Sequence, residues 1–405
     1  MRLSTNTIYE QSLASITMQQ EILQKTQQQL STGKRLLTPA DDPIAAAQVL
    51  NISQSDSINT QYAQNRTNAQ NNLELSDTVL GGISNLIQSV RDTAVYAGNG
   101  SLSPSDRAIL ADTVKSSLEE LIGQANTTDS SGRYLFSGYQ GTTKPFSQSP
   151  SGVQYAGDQG QRMVQVSASR QIALSNSGSD IFESFKSGNG VFVTGPDASN
   201  KGNGLMSSGT VVNPSLMTGQ SYQIEFTSPT QYKVTNMTTS AVVASNQDYV
   251  SGNAISFDGL QIDISGTPAY GGSPPVGDKF TVNPSSNQSL FKTVENLIAV
   301  LKAPVITSTD SARLSNGLST ALQDLDKGLD HILINRASVG SRLQEVDSLQ
   351  SIGSDLSQQY QQTLSQLQDV DFAKAISNLN QQQAYLEAAQ KAFNKVSGLS
   401  LFNYM

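Results

Sequence analysis

The side chains that could act in catalysis or hold a metal are few and scattered in this 405-residue chain. His331 is the single histidine, and the absence of cysteine excludes disulfides, thiolate nucleophiles and thiolate metal sites. A lone histidine in a helical pattern, without a second imidazole or a cysteine, is more typical of a structural residue than of a base or a ligand. We therefore predict no metal, no cofactor and no enzymatic activity.

Two pairs of nearby carboxylates are the remaining candidates for acid–base chemistry. Asp41 and Asp42 precede Pro43, and Asp369 and Asp371 precede the last helical pattern of the chain. Aspartate is a good helix N-cap, and proline is favoured in the first helical turn. We therefore interpret both pairs as helix caps.

Glycine-rich turns are a further place where a ligand could bind. The triplet Gly-Asn-Gly occurs at residues 98–100, 188–190 and 202–204. These triplets lack the third glycine of a dinucleotide-binding turn and do not join a strand to a helix. We interpret them as simple turns.

The charge balance argues against polyanionic partners. The chain carries 25 basic and 33 acidic residues, which gives a formal net charge of −8. Because no basic patch that could neutralise phosphates is visible, we predict no contact with nucleic acid or with a membrane surface. A stretch of about 18 apolar residues, as a membrane span needs, does not occur. The first residues lack the apolar run of a secretory signal peptide, which by itself favours the cytoplasm.

Both ends of the chain carry the pattern of coiled-coil helices. In each end, large apolar side chains recur at intervals of seven residues, among Gln, Ser, Thr and Ala. The predicted assembly positions are Tyr9, Ile16, Leu23, Leu30, Phe372, Ile376, Leu379, Leu386 and Phe393. A helix with one narrow apolar stripe buries little within one chain, and isolated helices are marginal in water. We hypothesise that both segments become ordered only on assembly; slow amide exchange of residues 1–30 and 375–400 in a dilute monomer would contradict this.

A longer heptad pattern lies further inside the chain. It continues without a skip through eight heptads from Leu314 to Val370, where three or four already suggest a coiled coil. Such a helix must bury its stripe against the helical patterns that precede residue 126. The predicted bundle core consists of Leu73, Leu80, Ile83, Ile87, Val90, Leu314, Leu318, Leu325, Ile332, Val339, Val346, Leu349 and Leu356.

Local signals mark the boundaries and weak points of the inner helices. Ser103 to Asp106 resembles a capping box and predicts the start of a helix. Gly81 and Gly82 interrupt the preceding helical pattern, and each costs about 1 kcal/mol in a helix interior. They predict either a close helix contact or a soft point.

The middle of the chain changes from helical periodicity to short alternating runs. Tyr222 to Phe226 is one such run, and turn residues such as Asp258-Gly259 separate the runs. This spacing predicts a mostly antiparallel β domain. The predicted fold class is α+β multidomain, with a long coiled-coil-like helical bundle from both chain ends and the β domain inserted in the middle.

The predicted division has three parts. Residues 1–42 and 365–405 are terminal helical segments for assembly. Residues 43–145 and 286–364 form the helical bundle domain. Residues 146–285 form a β-rich insert that we expect to face solvent, with little role in assembly.

Several motifs resemble flagellin-like proteins. The signature-like segments are LSTGKR at 30–35, PADDP at 39–43, NRASVGSRL at 335–343 and the closing residues 379–404. Within that family, the opening MRLST, Pro43 after the acidic pair, the segment DSSGRYLFSGY at 129–139 and the closing FNY resemble the members at the hook–filament junction. The resemblance covers about residues 1–147 and 286–405, and the β insert matches loosely.

This resemblance implies a structural adaptor of the bacterial flagellum and its location. Such proteins leave the cell through the flagellar type III export channel without a cleaved signal peptide, which replaces the cytoplasmic expectation by an extracellular one. The implied partners are hook-associated protein 1, flagellin, copies of itself in a ring, and an export chaperone on the C-terminal segment. Two alternatives stay open: a flagellin-type bulk filament subunit, and a secreted binding module that acts through the β insert.

Overall fold

Helices form both ends of the chain and strands form its middle in the computed structural model, which describes residues 5–272 and 276–398. This confirms the predicted fold class. The helices are α1 (Thr5–Thr32), α2 (Pro43–Ala97), α3 (Pro104–Ala125), α4 (Gly178–Phe182), α5 (Leu290–Lys302), α6 (Ser308–Gln368) and α7 (Phe372–Gly398). The first four residues of the opening motif, and the closing motif from residue 399 onward, lie outside the described residues.

All strand pairs among the described residues are antiparallel, as the short alternating runs predicted. The strands are β1 (Phe146–Ser149), β2 (Gly152–Tyr155), β3 (Met163–Ser167), β4 (Arg170–Ala173), β5 (Phe185–Lys186), β6 (Phe192–Pro196), β7 (Leu205–Met206), β8 (Thr210–Val211), β9 (Tyr222–Ser228), β10 (Gln231–Asn236), β11 (Val242–Asp248), β12 (Ala254–Phe257), β13 (Leu260–Ser265), β14 (Tyr270–Gly271), β15 (Val276–Gly277), β16 (Lys279–Pro284) and β17 (Asn287–Gln288). The largest sheet has five strands in the order β11-β10-β9-β16-β6.

The chain divides into two compact units. One unit consists of Met1–Gln64 and Ser348–Met405, and the other of Asn65–Asp347. The boundaries fall inside α2 and α6, so each of these helices contributes to both units. The three-part division stays a prediction, and each unit is described separately.

In the unit of residues 65–347, α2 and α6 lie antiparallel. Two ion pairs show the direction. Asp77 of α2 accepts from Arg336 of α6 at 2.8 Å, and Asp326 of α6 accepts from Arg91 of α2 at 2.6 Å. A later position in α2 therefore pairs with an earlier position in α6. The predicted core positions that the structure buries here are Leu73, Leu80, Ile83, Ile87, Val90, Leu318, Leu325, Ile332, Val339 and Val346. Leu314 is half-buried in this unit, and Leu349 and Leu356 are half-buried in the other one.

Helix α6 begins at Ser308, six residues before the first heptad position at Leu314. The earlier start follows from a reciprocal cap, because the Asp310 carboxylate accepts from the Thr307 N–H at 3.0 Å and the Thr307 hydroxyl accepts from the Asp310 N–H at 3.2 Å. These bonds satisfy N–H groups that a helix start leaves without partners. The predicted cap of α3 has the same form, with Ser103 and Asp106 bonded reciprocally.

Gly81 and Gly82 lie in an uninterrupted stretch of α2. A Cβ on Gly82 would be 2.9 Å from the Gln124 Oε1 atom of α3, and one on Gly81 would be 3.5 Å from the Arg336 guanidinium of α6. The two glycines therefore mark a close helix contact, which is the first of the two alternatives predicted.

An aromatic cluster joins the first part of the predicted β insert to the helices. The ring centroid of Phe146 lies 4.8 Å from that of Phe291 on α5 and 5.2 Å from that of Phe182. All three rings are fully buried. Residues 146–187 therefore contribute to the packing of α5. An insert that begins at residue 146 includes this helix-packing segment as well as the sheets that follow it.

The sheets have a separate core made by side chains between Phe192 and Val282. The chain enters and leaves this region at adjacent points, because the Ser187 N–H donates to the Ser286 carbonyl at 3.0 Å and the Ser285 hydroxyl donates to the Ser187 carbonyl at 2.7 Å. We call residues 188–285 the sheet domain, and the paired segments at 187 and 286 its neck.

Ile332 and Ile334 on α6 provide a matched test of the heptad core. Ile332 is 0% exposed and Ile334 is 67% exposed. We expect Ile332→Ala to lower the free energy of unfolding by about 2–5 kcal/mol, since it removes buried apolar surface and leaves a cavity. Ile334→Ala should change it by no more than about 0.5 kcal/mol. Denaturant titration measures both values, and equal effects would contradict this core assignment.

Candidate assembly site: the terminal helix pair

Helices α1 and α7 pair in antiparallel orientation. The Tyr9 and Phe393 rings are in contact, with centroids 5.1 Å apart. At the other end of the pair, the Val370 N–H donates to the Gly33 carbonyl at 2.9 Å. The start of α1 therefore lies beside the end of α7.

The seven-residue stripes of the two helices face each other in this arrangement. Because both stripes have the same spacing and Tyr9 contacts Phe393, successive apolar positions of α1 fall opposite those of α7 in reverse order. The half-buried members are Ile16, Leu23, Leu30, Leu379, Leu386 and Phe393.

The pair leaves apolar side chains in contact with solvent. Among the predicted assembly positions, Tyr9, Phe372 and Ile376 remain 48%, 53% and 49% exposed. Further exposed apolar residues of the same two helices are Leu13, Met18, Ile22 and Tyr385. Several exposed large apolar side chains on one helix pair make it a candidate interaction surface.

The end of the LSTGKR segment, residues 33–35, contacts residues 367–370, where α6 ends and α7 is about to begin. We call this contact the joint. Gly33 ends α1 with a φ of +71°, a conformation that glycine adopts without steric cost. The Arg35 N–H donates to the Gln368 carbonyl, and the Arg35 guanidinium donates to the Leu367 carbonyl, both at 2.7 Å. Arg35 therefore satisfies carbonyls at the C-terminus of α6, where positive charge is favourable.

The two acidic residues after this joint have different roles. Asp42 accepts from the Ala45 N–H at 3.1 Å and caps α2, as predicted. Asp41 instead accepts from the N–H groups of Leu37 and Thr38, both at 2.9 Å, and pairs with Lys25 of α1 at 2.6 Å. The interpretation of Asp41 as a helix cap was wrong, because its carboxylate holds the turn before the helix.

The second acidic pair also divides. Asp371 accepts from the Lys374 N–H at 3.1 Å and caps α7. Asp369 lies in a backbone bridge with Lys34, so its position is set by main-chain pairing between the joint and the segment before α7. The cap interpretation holds for Asp371 and does not describe Asp369.

The same unit contains the outer parts of α2 and α6. The Asn59 amide donates to the Gly353 carbonyl at 2.7 Å, and the Ser357 hydroxyl donates to Asp56 at 2.9 Å. Gly353 is a buried heptad position without a side chain, and its carbonyl accepts this bond from α2.

His331, the first candidate for catalysis or metal binding, contacts a main-chain group. The Nε2 atom of His331 lies 2.6 Å from the Asp180 carbonyl. Within residues 5–272 and 276–398, no group of three or more His, Asp or Glu side chains could hold a metal ion. None of the described helices has the length and apolar character of a membrane span.

Comparison with known proteins identifies relatives that match along nearly the whole chain. Flagellar hook-associated protein 3 of Escherichia coli is 32% identical over 403 residues, which are 99% of both chains. The crystal structure of Xanthomonas campestris FlgL is 31% identical, with a TM-score of 0.72, and covers 78% of this chain and 99% of that one. The chain belongs to the flagellar hook-associated protein 3 family.

The extent of the match separates hook-associated protein 3 from bulk flagellins. A B-type flagellin of Pseudomonas aeruginosa matches only 35% of this chain and 30% of its own length, at 33% identity. Residues 3–141 match the bacterial flagellin N-terminal helical region. The prediction of a flagellin-like structural protein of the flagellum is confirmed.

The β region has a relative of its own. Residues 196–284 match the D2-like domain of flagellar hook-associated protein 1. This range lies within the sheet domain and excludes residues 146–187, which pack with the helices. The insert was expected to match its family only loosely, and this part of it matches a defined domain of a related protein.

The Asp41 contacts predict a local pH dependence. The Lys25 ammonium, and then the Thr38 N–H, lower the pKa of the Asp41 carboxyl from 3.8 to about 2. A carboxyl with a depressed pKa stabilises the fold above pH 3.8, and this contribution is lost as the pH falls through about 2. We expect the NMR amide signals of Leu37 and Thr38 to titrate with a midpoint near 2.

A Lys25→Met variant is the control, because it removes the largest cause of this pKa shift. Its midpoint should move upward toward 3.8. A wild-type midpoint already at that ordinary value would show that the Lys25–Asp41 pair does not form.

Proposed function

We propose that this chain is the adaptor that joins the flagellar hook to the filament. In this proposal hook-associated protein 1 is the hook-side neighbour, flagellin is the filament-side neighbour, and copies of the chain form a ring. The observation that carries the proposal is the antiparallel α1/α7 pair, which leaves apolar side chains such as Met18 and Ile376 exposed. Its helix α1 lies in the range that matches the flagellin N-terminal helical region.

The driving force for assembly is the burial of these exposed side chains. Each square ångström of apolar surface removed from water contributes about 25 cal/mol, so a stripe shared by neighbouring subunits stabilises a lattice by several kcal/mol per contact. The proposed terminal assembly segments are residues 1–42 and 365–405, and the proposed spacer outside them is the bundle of residues 43–145 and 286–364.

The proposal includes a route to the assembly site. The chain would leave the cell by flagellar type III export without loss of a signal peptide, with a chaperone on its C-terminal segment until export. A chaperone that covers the α7 stripe would prevent premature association in the cytoplasm. No catalytic activity is part of this function.

A deletion strain tests the adaptor function. We expect cells without the gene to carry bare hooks in electron micrographs and to release unpolymerised flagellin into the medium. Bare hooks with no flagellin in cells or medium would instead identify the chain as the filament subunit. Normal filaments would contradict the proposal.

Complementation of this strain tests the α7 stripe. Leu386→Glu places a charge at a half-buried seam position and should cost a few kcal/mol per subunit, which we expect to abolish filaments. Gln383→Glu introduces the same side chain at an exposed position and should restore filaments. Both proteins must appear at wild-type levels in the export fraction. Filaments with exported Leu386→Glu would show that the seam is not needed for assembly.

The neck defines how the sheet domain can be removed. Deletion of residues 190–283 retains the Ser187–Ser286 hydrogen bonds and should leave filament formation intact. Deletion of residues 150–283 also removes Phe182 from the aromatic cluster, so we expect it to unfold at a lower temperature. Circular dichroism melts and the filament assay measure both outcomes. Loss of filaments with stable, exported 190–283 deletion protein would assign the sheet domain a role in assembly.

A further inference from the structure

One face of α6 contacts the backbone of the sheet domain. Its side chains recur at intervals of three, four or eight residues and therefore share one side of the helix. They are Thr309, Arg313, Asn316 and Asp324. The face spans about 22 Å at 1.5 Å per residue. We call these four residues the α6 latch.

Two members of the latch, Asn316 and Asp324, are almost completely buried. Asn316 is 6% exposed and Asp324 is 5% exposed. The Asn316 amide donates to the Gly204 carbonyl at 3.0 Å, and its oxygen accepts from the Met206 N–H at 2.9 Å. This two-point contact fixes both distance and direction, because buried polar groups that lose their partners are costly.

Asp324 holds the domain at its neck. Its carboxylate accepts from the Gly188 N–H at 2.7 Å. Gly188 has a φ of +62°, and a Cβ there would be 2.4 Å from the Phe192 carbonyl oxygen, so the chain can only turn here with glycine. Gly204 lies close to a buried ring, since a Cβ there would be 2.6 Å from the Phe280 side chain.

The other two members of the latch contact the loop between Gly188 and Gly204. The Arg313 guanidinium donates to the Asn200 carbonyl at 2.8 Å, and the Thr309 hydroxyl donates to the Lys201 carbonyl at 2.6 Å. The groups of the sheet domain that the latch contacts are all main-chain groups of residues 188–206. The Gly-Asn-Gly triplets at 188–190 and 202–204 thus provide two of the backbone sites that α6 binds.

We propose that the α6 latch fixes the orientation of the sheet domain on the helical bundle, with Asn316 and Asp324 as the positioning residues. Two chain crossings at the neck would by themselves allow the domain to rotate. The latch removes this freedom by binding backbone groups at both ends of the segment from Gly188 to Met206. This role does not depend on the adaptor function proposed above.

Distance measurements between spin labels test the latch in the full-length chain. The protein has no cysteine, so two introduced cysteines give a unique label pair. Lys115→Cys on α3 and Val242→Cys on β11 are exposed and report the orientation of the sheet domain. Leu216→Cys with Val242→Cys reports the fold of the sheet domain itself.

The expected result is a single narrow α3–β11 distance that is lost in Asn316→Leu/Asp324→Leu, while the pair inside the sheet domain stays narrow. Leucine has a similar volume and removes every latch hydrogen bond at these two positions. Ser315→Leu/Asp330→Leu, at exposed positions of the same helix, should keep the narrow distance. Asp324→Asn should also keep it, because the amide oxygen still accepts from the Gly188 N–H.

Two outcomes would overturn the proposal. A narrow α3–β11 distance in Asn316→Leu/Asp324→Leu would mean that other contacts orient the domain. Broadening of both label pairs in that variant would mean that these side chains maintain the fold of the sheet domain rather than its orientation.

Discussion

The main-chain joint between residues 33–35 and 367–370 is the interaction on which the terminal unit depends. It brings the end of α1, the end of α6 and the approach to α7 to one place through the Arg35, Gly33 and Val370 backbone bonds. With this end fixed, equal heptad spacing places the apolar stripes of α1 and α7 opposite each other. The stripe of one helix is then partly covered by the other, and the uncovered remainder is available for neighbouring subunits.

Long periodic helices were the part of the fold that sequence predicted best. Residue type alone indicated the caps at Ser103, Asp42 and Asp371, because a capping side chain needs only its own helix start. The heptad series predicted the buried face of α6 from Leu318 as far as Val346, because a period of seven repeats the same contact many times. The motifs at 30–35 and 39–43 led to the family, and the structure supplies the hydrogen bonds that such a motif encodes.

Contacts that depend on distant residues were not predictable in the same way. Asp41 has no distinguishing pattern, because its ion-pair partner Lys25 lies on α1, on the other side of the turn at Gly33. Asn316 and Asp324 are polar residues beside an apolar stripe, and nothing local indicates that they are buried against backbone groups. The packing of Phe146 and Phe182 on α5 was not predicted for a related reason, since it is a long-range contact.

The central claim is that assembly buries the apolar side chains that the α1/α7 pair leaves exposed. Thiol labelling of Met18→Cys in an otherwise cysteine-free chain measures this directly, in the monomer and in isolated flagella, with Val242→Cys on the sheet domain as the exposed reference. The account predicts that Met18→Cys reacts in the monomer and is protected in flagella, while Val242→Cys reacts in both. Equal reactivity of Met18→Cys in the two states would contradict it.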